Sequence, residues 1–130
     1  MTIVGKKFPS LEVNAMNEMG DTFKLNILEE AQKNSKKVLL FWYPKDFTFV
    51  CPTELLAFQT SLKEFENRNT IVIGASCDTA EVHFAWLNTP KDNGGIEGVT
   101  YPLLADSNRN LAQRWVFWIL PMKDMMRKLE

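Results

Sequence analysis

One cysteine in this chain stands where a thiol becomes a nucleophile. It lies in Phe41-Trp42-Tyr43-Pro44-Lys45-Asp46-Phe47-Thr48-Phe49-Val50-Cys51-Pro52-Thr53-Glu54-Leu55, where an apolar run passes through a loop into a helical pattern. Pro52 suits a first helical position, where a missing N–H costs nothing. Cys51 is therefore predicted at a helix N-terminus, facing free backbone N–H groups and the positive end of the helix dipole, which favour thiolate over thiol. Thr48, three residues earlier, can donate a hydrogen bond to a thiolate and accept one from a bound O–H, since a hydroxyl does both. Pro44 fixes φ at the start of the loop and removes one donor, so it can wall a pocket without competing for the sulfur. An ordinary buried cysteine beside a strand-helix turn is the bland alternative. The Pro-x-x-x-Thr-x-x-Cys spacing at such a junction argues against it.

These residues resemble a known family, the peroxiredoxins, in particular the typical two-cysteine alkyl hydroperoxide reductase branch. Phe47-Thr48-Phe49-Val50-Cys51-Pro52-Thr53-Glu54 is similar to that family's peroxidatic motif. His83-Phe84-Ala85-Trp86-Leu87-Asn88-Thr89-Pro90 and Tyr101-Pro102-Leu103-Leu104-Ala105-Asp106 are similar to the same branch. The resemblance covers roughly residues 3–112. It implies a thioredoxin-like α/β fold and a thiol-dependent peroxidase acting on hydrogen peroxide and organic hydroperoxides, in an antioxidant role. Cys51 would be the peroxidatic residue, with Thr48 and Pro44 as its catalytic companions and Glu54 holding the site's hydrogen bonds. It further implies thioredoxin or a flavoprotein disulfide reductase as electron donor, homodimers or rings of dimers, and no metal, flavin or haem. The arginine that family members require lies past the point where this chain departs. Arg114 and Arg127 match no family motif, and Lys45 is the one basic residue inside the motif loop.

The surrounding pattern supplies elements to position that loop. Residues 38–42 form a continuous apolar run, the mark of a central strand buried on both faces. Leu55, Phe58, Leu62 and Phe65 recur at helical spacing through one helix. Upstream, residues 11–16 and 22–25 flank an Asn-Glu-Met-Gly-Asp turn and read as a hairpin. Asn26 is suited to cap a helix over residues 27–32. Downstream, residues 70–75 read as a second buried strand. Thr79 can cap a helix through Leu87 that carries Val82, Phe84, Ala85 and Leu87 inward. A short extended segment follows at 101–104, and Asp106 or Ser107 can cap a helix from Asn108. Alternating strands and helices of this kind give a layered α/β fold with parallel pairing. Two further residues read as structural: Cys77 fills a strand end, away from the position of a resolving cysteine, and His83 is a helix residue outside the motif.

Length and composition agree with one domain. The chain has 130 residues, 45% of them hydrophobic, and a net charge of −1 that points to neither nucleic acid nor an anionic membrane. It shows no secretory leader and no run of transmembrane length. Two cysteines without a CxxC pair fit a reducing cytoplasm, and one histidine does not suggest a metal site.

From residue 113 the pattern changes. Residues 1–112 read as an incomplete peroxiredoxin domain, and residues 113–130 as a divergent tail rich in Trp, Phe, Ile, Leu and Met without polar alternation. Reading two nucleotides downstream turns Trp115-Val116 into Gly, Phe117-Trp118 into Leu, Trp118-Ile119 into Asp and Met122-Lys123 into Glu, whatever codons were used. The recovered order is similar to the family's own continuation, so the expectation is a frameshifted end. A natural tail that docks as an amphipathic helix is the alternative. A domain cut short in this way would expose an unpaired strand edge, and a self-associating or holdase-like protein is the second functional expectation.

Overall fold

The computed structural model describes residues 5–47 and 51–114, with Cys51 described by its backbone alone. Thr48, Arg127 and the tail from residue 115 lie outside the described residues.

The chain opens with a hairpin. Strands β1 (Glu12–Met16) and β2 (Thr22–Asn26) pair antiparallel, with Ala15 opposite Phe23. The carboxamide of Asn17 organises the turn, accepting from the backbone N–H of Met19 and of Asp21 at 2.9 Å each. Gly20 supplies the left-handed residue at φ +86°. Asn26 then caps α1 (Ile27–Asn34), accepting from Glu29 N at 3.2 Å, as its position before the helical pattern predicts. Strand β3 (Lys37–Trp42) follows, then α2 (Cys51–Thr60) and α3 (Leu62–Asn67). Strand β4 (Thr70–Ser76) leads to α4 (Ala80–Leu87), capped by the Thr79 hydroxyl, which accepts from Val82 N at 3.3 Å. Strand β5 (Leu103–Ala105) and α5 (Asn110–Arg114) complete the described chain.

The five strands form one mixed sheet in the order β2-β1-β5-β4-β3. Strands β3, β4 and β5 run parallel, as expected, and the hairpin adds β1 antiparallel to β5. Side chains alternate between two cores. On one face Tyr43, Leu55, Val72, Trp86, Ile96 and Leu103 pack with the apolar stripes of α2 and α3. On the other, Val13, Ala15, Leu25, Ile27, Ile73 and Leu111 pack with α1 and α5. The result is a sheet between helical layers.

The structure corrects four sequence expectations. The run at residues 38–42 is not a central strand: β3 is the edge of the described sheet, and its apolar residues are half-buried. Leu39 and Phe41 do pack on one core, and Val38, Leu40 and Trp42 on the other. The apolar run therefore reports covered faces, and says nothing about the lateral backbone edge. Strand β4 holds the position with a neighbour on each side, and Val72 to Ser76 are buried. Second, the helix after Cys51 breaks at Ser61, which makes no side-chain cap and adopts φ −94°, ψ 5°. Third, α4 buries His83, Trp86 and Leu87, whereas Ala85 and Phe84 are exposed, Phe84 by 48%. The Phe84 ring covers Gly20, where an added Cβ would meet Phe84 Cε2 at 2.5 Å. Fourth, the last described helix begins at Asn110 and not at Asn108; the buried Asp106 carboxylate accepts from Leu111 N and Ala112 N at 3.0 and 2.9 Å.

Ile73 is 1% exposed in the middle of β4. Ile73→Ala is expected to cost about 2–5 kcal/mol of stability, seen as a lower urea midpoint at unchanged slope. A loss within error of zero would show that the second core is not close-packed.

Candidate active site

Parallel strands β3 and β4 end on the same side of the sheet, and the loops that leave them meet there. Residue 43 extends the pairing by one step, with Tyr43 N donating to Ala75 O at 3.0 Å. Pro44 and Lys45 are exposed; Asp46 turns inward and is 4% exposed. Its backbone N–H donates to the Asp78 carboxylate, on the loop after β4, at 2.6 Å. Asp78 N in turn donates to Ser76 Oγ at 3.2 Å. Phe47 closes the turn in the left-handed region at φ +59°, a conformation that non-glycine residues seldom adopt, with its ring centroid 6.0 Å from that of Trp86. Residues 48–50 then lead to Cys51, the first residue of α2, as the sequence predicts.

Beneath this loop lies a buried ion pair. His83 Nδ1 is 2.6 Å from Asp46 Oδ2, and both side chains are fully buried. His83 Nε2 is 2.9 Å from Leu104 O. A carbonyl only accepts, so Nε2 carries a proton; an ionised Asp46 requires one on Nδ1 as well. The imidazole is therefore held as a double donor. Burial by itself lowers its pKa, but the hydrogen bond and charge of Asp46, the Leu104 carbonyl and the charge of Asp78 together outweigh burial and raise it. Tyr43, with Oη 3.4 Å from His83 Nδ1, is pushed far up, first by burial and then by the charge and hydrogen bond of Asp46, and stays a phenol. Asp46 Oδ1 is buried and has no hydrogen-bond partner among the described residues.

Further along, α2 is anchored from the opposite side. Tyr101 Oη donates to Leu55 O at 2.7 Å, and Gln59 accepts from Thr100 N at 2.9 Å. Pro52 and Leu55 are buried, while Glu54 is exposed on the same turn. Among the described residues, no three His, Cys, Asp or Glu side chains converge as a metal site would require.

Comparison with known proteins places this geometry. Residues 4–128 match the family model described as AhpC/TSA family. The chain belongs to the AhpC/TSA family. Alkyl hydroperoxide reductase C of Helicobacter pylori is 42% identical over 113 residues, spanning 87% of this chain and 55% of that protein. Peroxiredoxin-1 of Gekko japonicus is 41% identical over 110 residues, spanning 85% and 54%. The crystal structure of reduced Plasmodium vivax 2-Cys peroxiredoxin superposes with a TM-score of 0.82 at 34% identity, covering 92% of this chain and 71% of that one. The thioredoxin-like fold expected from the motif is thus the one observed. This AhpC/TSA chain spans about half the length of those two curated relatives.

Pro44 stands at the start of the loop that precedes the Cys51 helix, and Cys77 lies on the neighbouring loop, next to the Asp78 that accepts from Asp46 N. Cys77 is half-buried just past β4 as a free thiol, its pKa raised by burial and by Asp106, with Arg109 opposing. Raised in this way, it is a poor nucleophile. The sequence reading missed Asp46 and underrated His83. The available signal was a lone His three residues before a Trp on one helix face, which is the spacing of neighbours on a buried stripe.

Folded His83 binds its proton more tightly than the unfolded chain does. Its contribution to stability is therefore complete below the unfolded value of about pH 6.5 and declines as pH rises through the raised folded value. Urea midpoints measured from about pH 6 to pH 9 are expected to fall across that window. A flat series would show that folded His83 binds its proton no more tightly than the unfolded chain does.

Proposed function

We propose that this chain is a thiol peroxidase that reduces hydrogen peroxide and small organic hydroperoxides through Cys51. The observation that carries the reading is Cys51 as the first residue of α2, at the end of a loop held by buried hydrogen bonds. Backbone N–H groups of that first turn favour the thiolate and lower the Cys51 pKa below that of a free thiol. The thiolate sulfur attacks the nearer peroxide oxygen. An S–O bond forms, the O–O bond breaks, and the departing alkoxide or hydroxide takes a proton, leaving a sulfenic acid. Thr48 and the N–H groups orient the peroxide and stabilise charge on the leaving oxygen. Pro44 limits access by water and competing thiols, and Glu54 holds hydrogen bonds at the first turn. An external dithiol, thioredoxin or a flavoprotein-linked disulfide carrier, then condenses with the sulfenic acid, releasing water and forming a mixed disulfide that a second thiol resolves. Such chemistry suits the cytoplasm; among the described residues no helix is long and apolar enough to cross a membrane.

Peroxide consumption with dithiothreitol or thioredoxin tests this. Cys51→Ser is expected to abolish turnover, and Thr48→Val to lower kcat/KM about a hundredfold. Equal turnover in Cys51→Ser and the native chain would sink the reading.

The edge position of β3 favours a second reading, self-association or a holdase-like role. Strand β3 presents its outer backbone edge at the side of the described sheet that has no partner strand among the described residues. On this reading size-exclusion shows concentration-dependent association. A monomer at every concentration would exclude it.

A further inference from the structure

We propose that His83 is a positioning residue for the Cys51 thiol: wedged between the Leu104 carbonyl and the Asp46 carboxylate, it fixes the loop over residues 43–47, from which the chain continues to Cys51. The inference deepens the peroxidase reading and rests on Cys51 being the reacting thiol.

Three observations carry it. First, the pair ties the loop after β3 by directed hydrogen bonds to two elements, α4 through His83 and β5 through the Leu104 carbonyl, beside the ring contacts that Trp86 makes with Tyr43 and Phe47. Second, Asp46 is held twice, by its side chain at His83 and by its backbone N–H at Asp78, so neither its position nor its peptide plane is free to turn. The next residue is Phe47 in the left-handed region, a conformation that persists only where neighbouring contacts determine it. Third, the contact is a fully buried ion pair. Such a pair stabilises weakly compared with apolar side chains of similar volume, yet it defines direction and distance as packing alone does not.

The charged and titratable groups facing the imidazole are Asp46 and Tyr43 from the loop and Asp78 from the segment after β4; β5 presents a backbone carbonyl. On α4 itself Glu81 is exposed, away from the pair. A double donor is needed to satisfy the two acceptors at once. Loss of one proton from the pair therefore frees one end of the clamp and loosens the loop without altering Cys51 itself.

The test separates position from stability. In a Cys77→Ser background, where Cys51 is the remaining thiol, the native pair is compared with the double variant His83→Leu/Asp46→Leu. Replacing both charges by apolar groups keeps the packing and leaves no buried charge unpaired. The double variant is expected to melt close to the parent, while its rate of peroxide reaction falls about tenfold or more, the scale of a misplaced reacting group. Near-parental melting with a rate within about twofold of the parent would overturn the proposal. A second measurement needs no variant. Hydrogen exchange of the peptide covering residues 43–51, corrected for intrinsic pH dependence, is expected to quicken as pH rises from about 6 to 9 while α4 stays protected. An unchanged ratio would equally overturn it. Alkylation by iodoacetamide keeps the two readings apart. A native chain whose Cys51 alkylates but consumes no peroxide defeats the peroxidase reading. The exchange result still decides the clamp.

Discussion

A histidine ring with an acceptor at each nitrogen is the constraint around which this end of the molecule is arranged. An imidazole sealed from water must satisfy both nitrogens inside the protein, and here a carbonyl of β5 and a carboxylate of the loop after β3 do so. That requirement dictates more than its own surroundings. It places α4 at a fixed height above the sheet and brings Trp86, one turn on, against Tyr43 and Phe47. It also pulls Asp46 inward where its neighbours Pro44 and Lys45 stay in solvent. An all-apolar cluster would tolerate small rotations of the helix; a ring bonded at two opposite atoms does not.

The sheet makes the arrangement possible. Parallel β3 and β4 deliver their following loops to the same end, so that Asp46 and Asp78, 32 positions apart, share a hydrogen bond. Ligands of open α/β sheets gather at that end for this topological reason. On the far side of α2, the Tyr101 and Gln59 contacts fix the helix against the segment before β5. The body of α2 is thus held against that segment at Leu55 and Gln59.

Much of this was legible in the residues, and the division has a physical cause. Features set by local rules came through: the Asn17–Asp21 turn, the caps at Asn26 and Thr79, and the start of α2 at Cys51 each depend on a few neighbouring positions. Features set by distant partners did not. The apolar run of β3 says that its two faces are covered, but edge or centre depends on which strands lie beside it. Val82, Phe84, Ala85 and Leu87 look like a buried face on hydrophobicity. The observed face instead admits the polar His83, because acceptors wait for it on β5 and in the loop. Phe84 turns outward to lie over Gly20. Asp46 gave no signal of its own, because its partner is 37 positions away.

The strand order carries one more consequence, for how the molecule comes into being. β1 is made early and completes the sheet only through β5, whose Leu104 lies opposite Ala15. The two are ~90 residues apart in the chain, so closing that loop carries a large entropic cost and comes late. The β1-β2 hairpin can form at once, and β3 can meet β4 as soon as α3 has turned, yet the two halves stay unjoined until three short residues of β5 slide between them. Those same residues supply the carbonyl that orients His83. During synthesis the apolar sides of both halves therefore wait in water together, and the last strand to arrive both joins the sheet and sets the ring beneath the loop that follows β3.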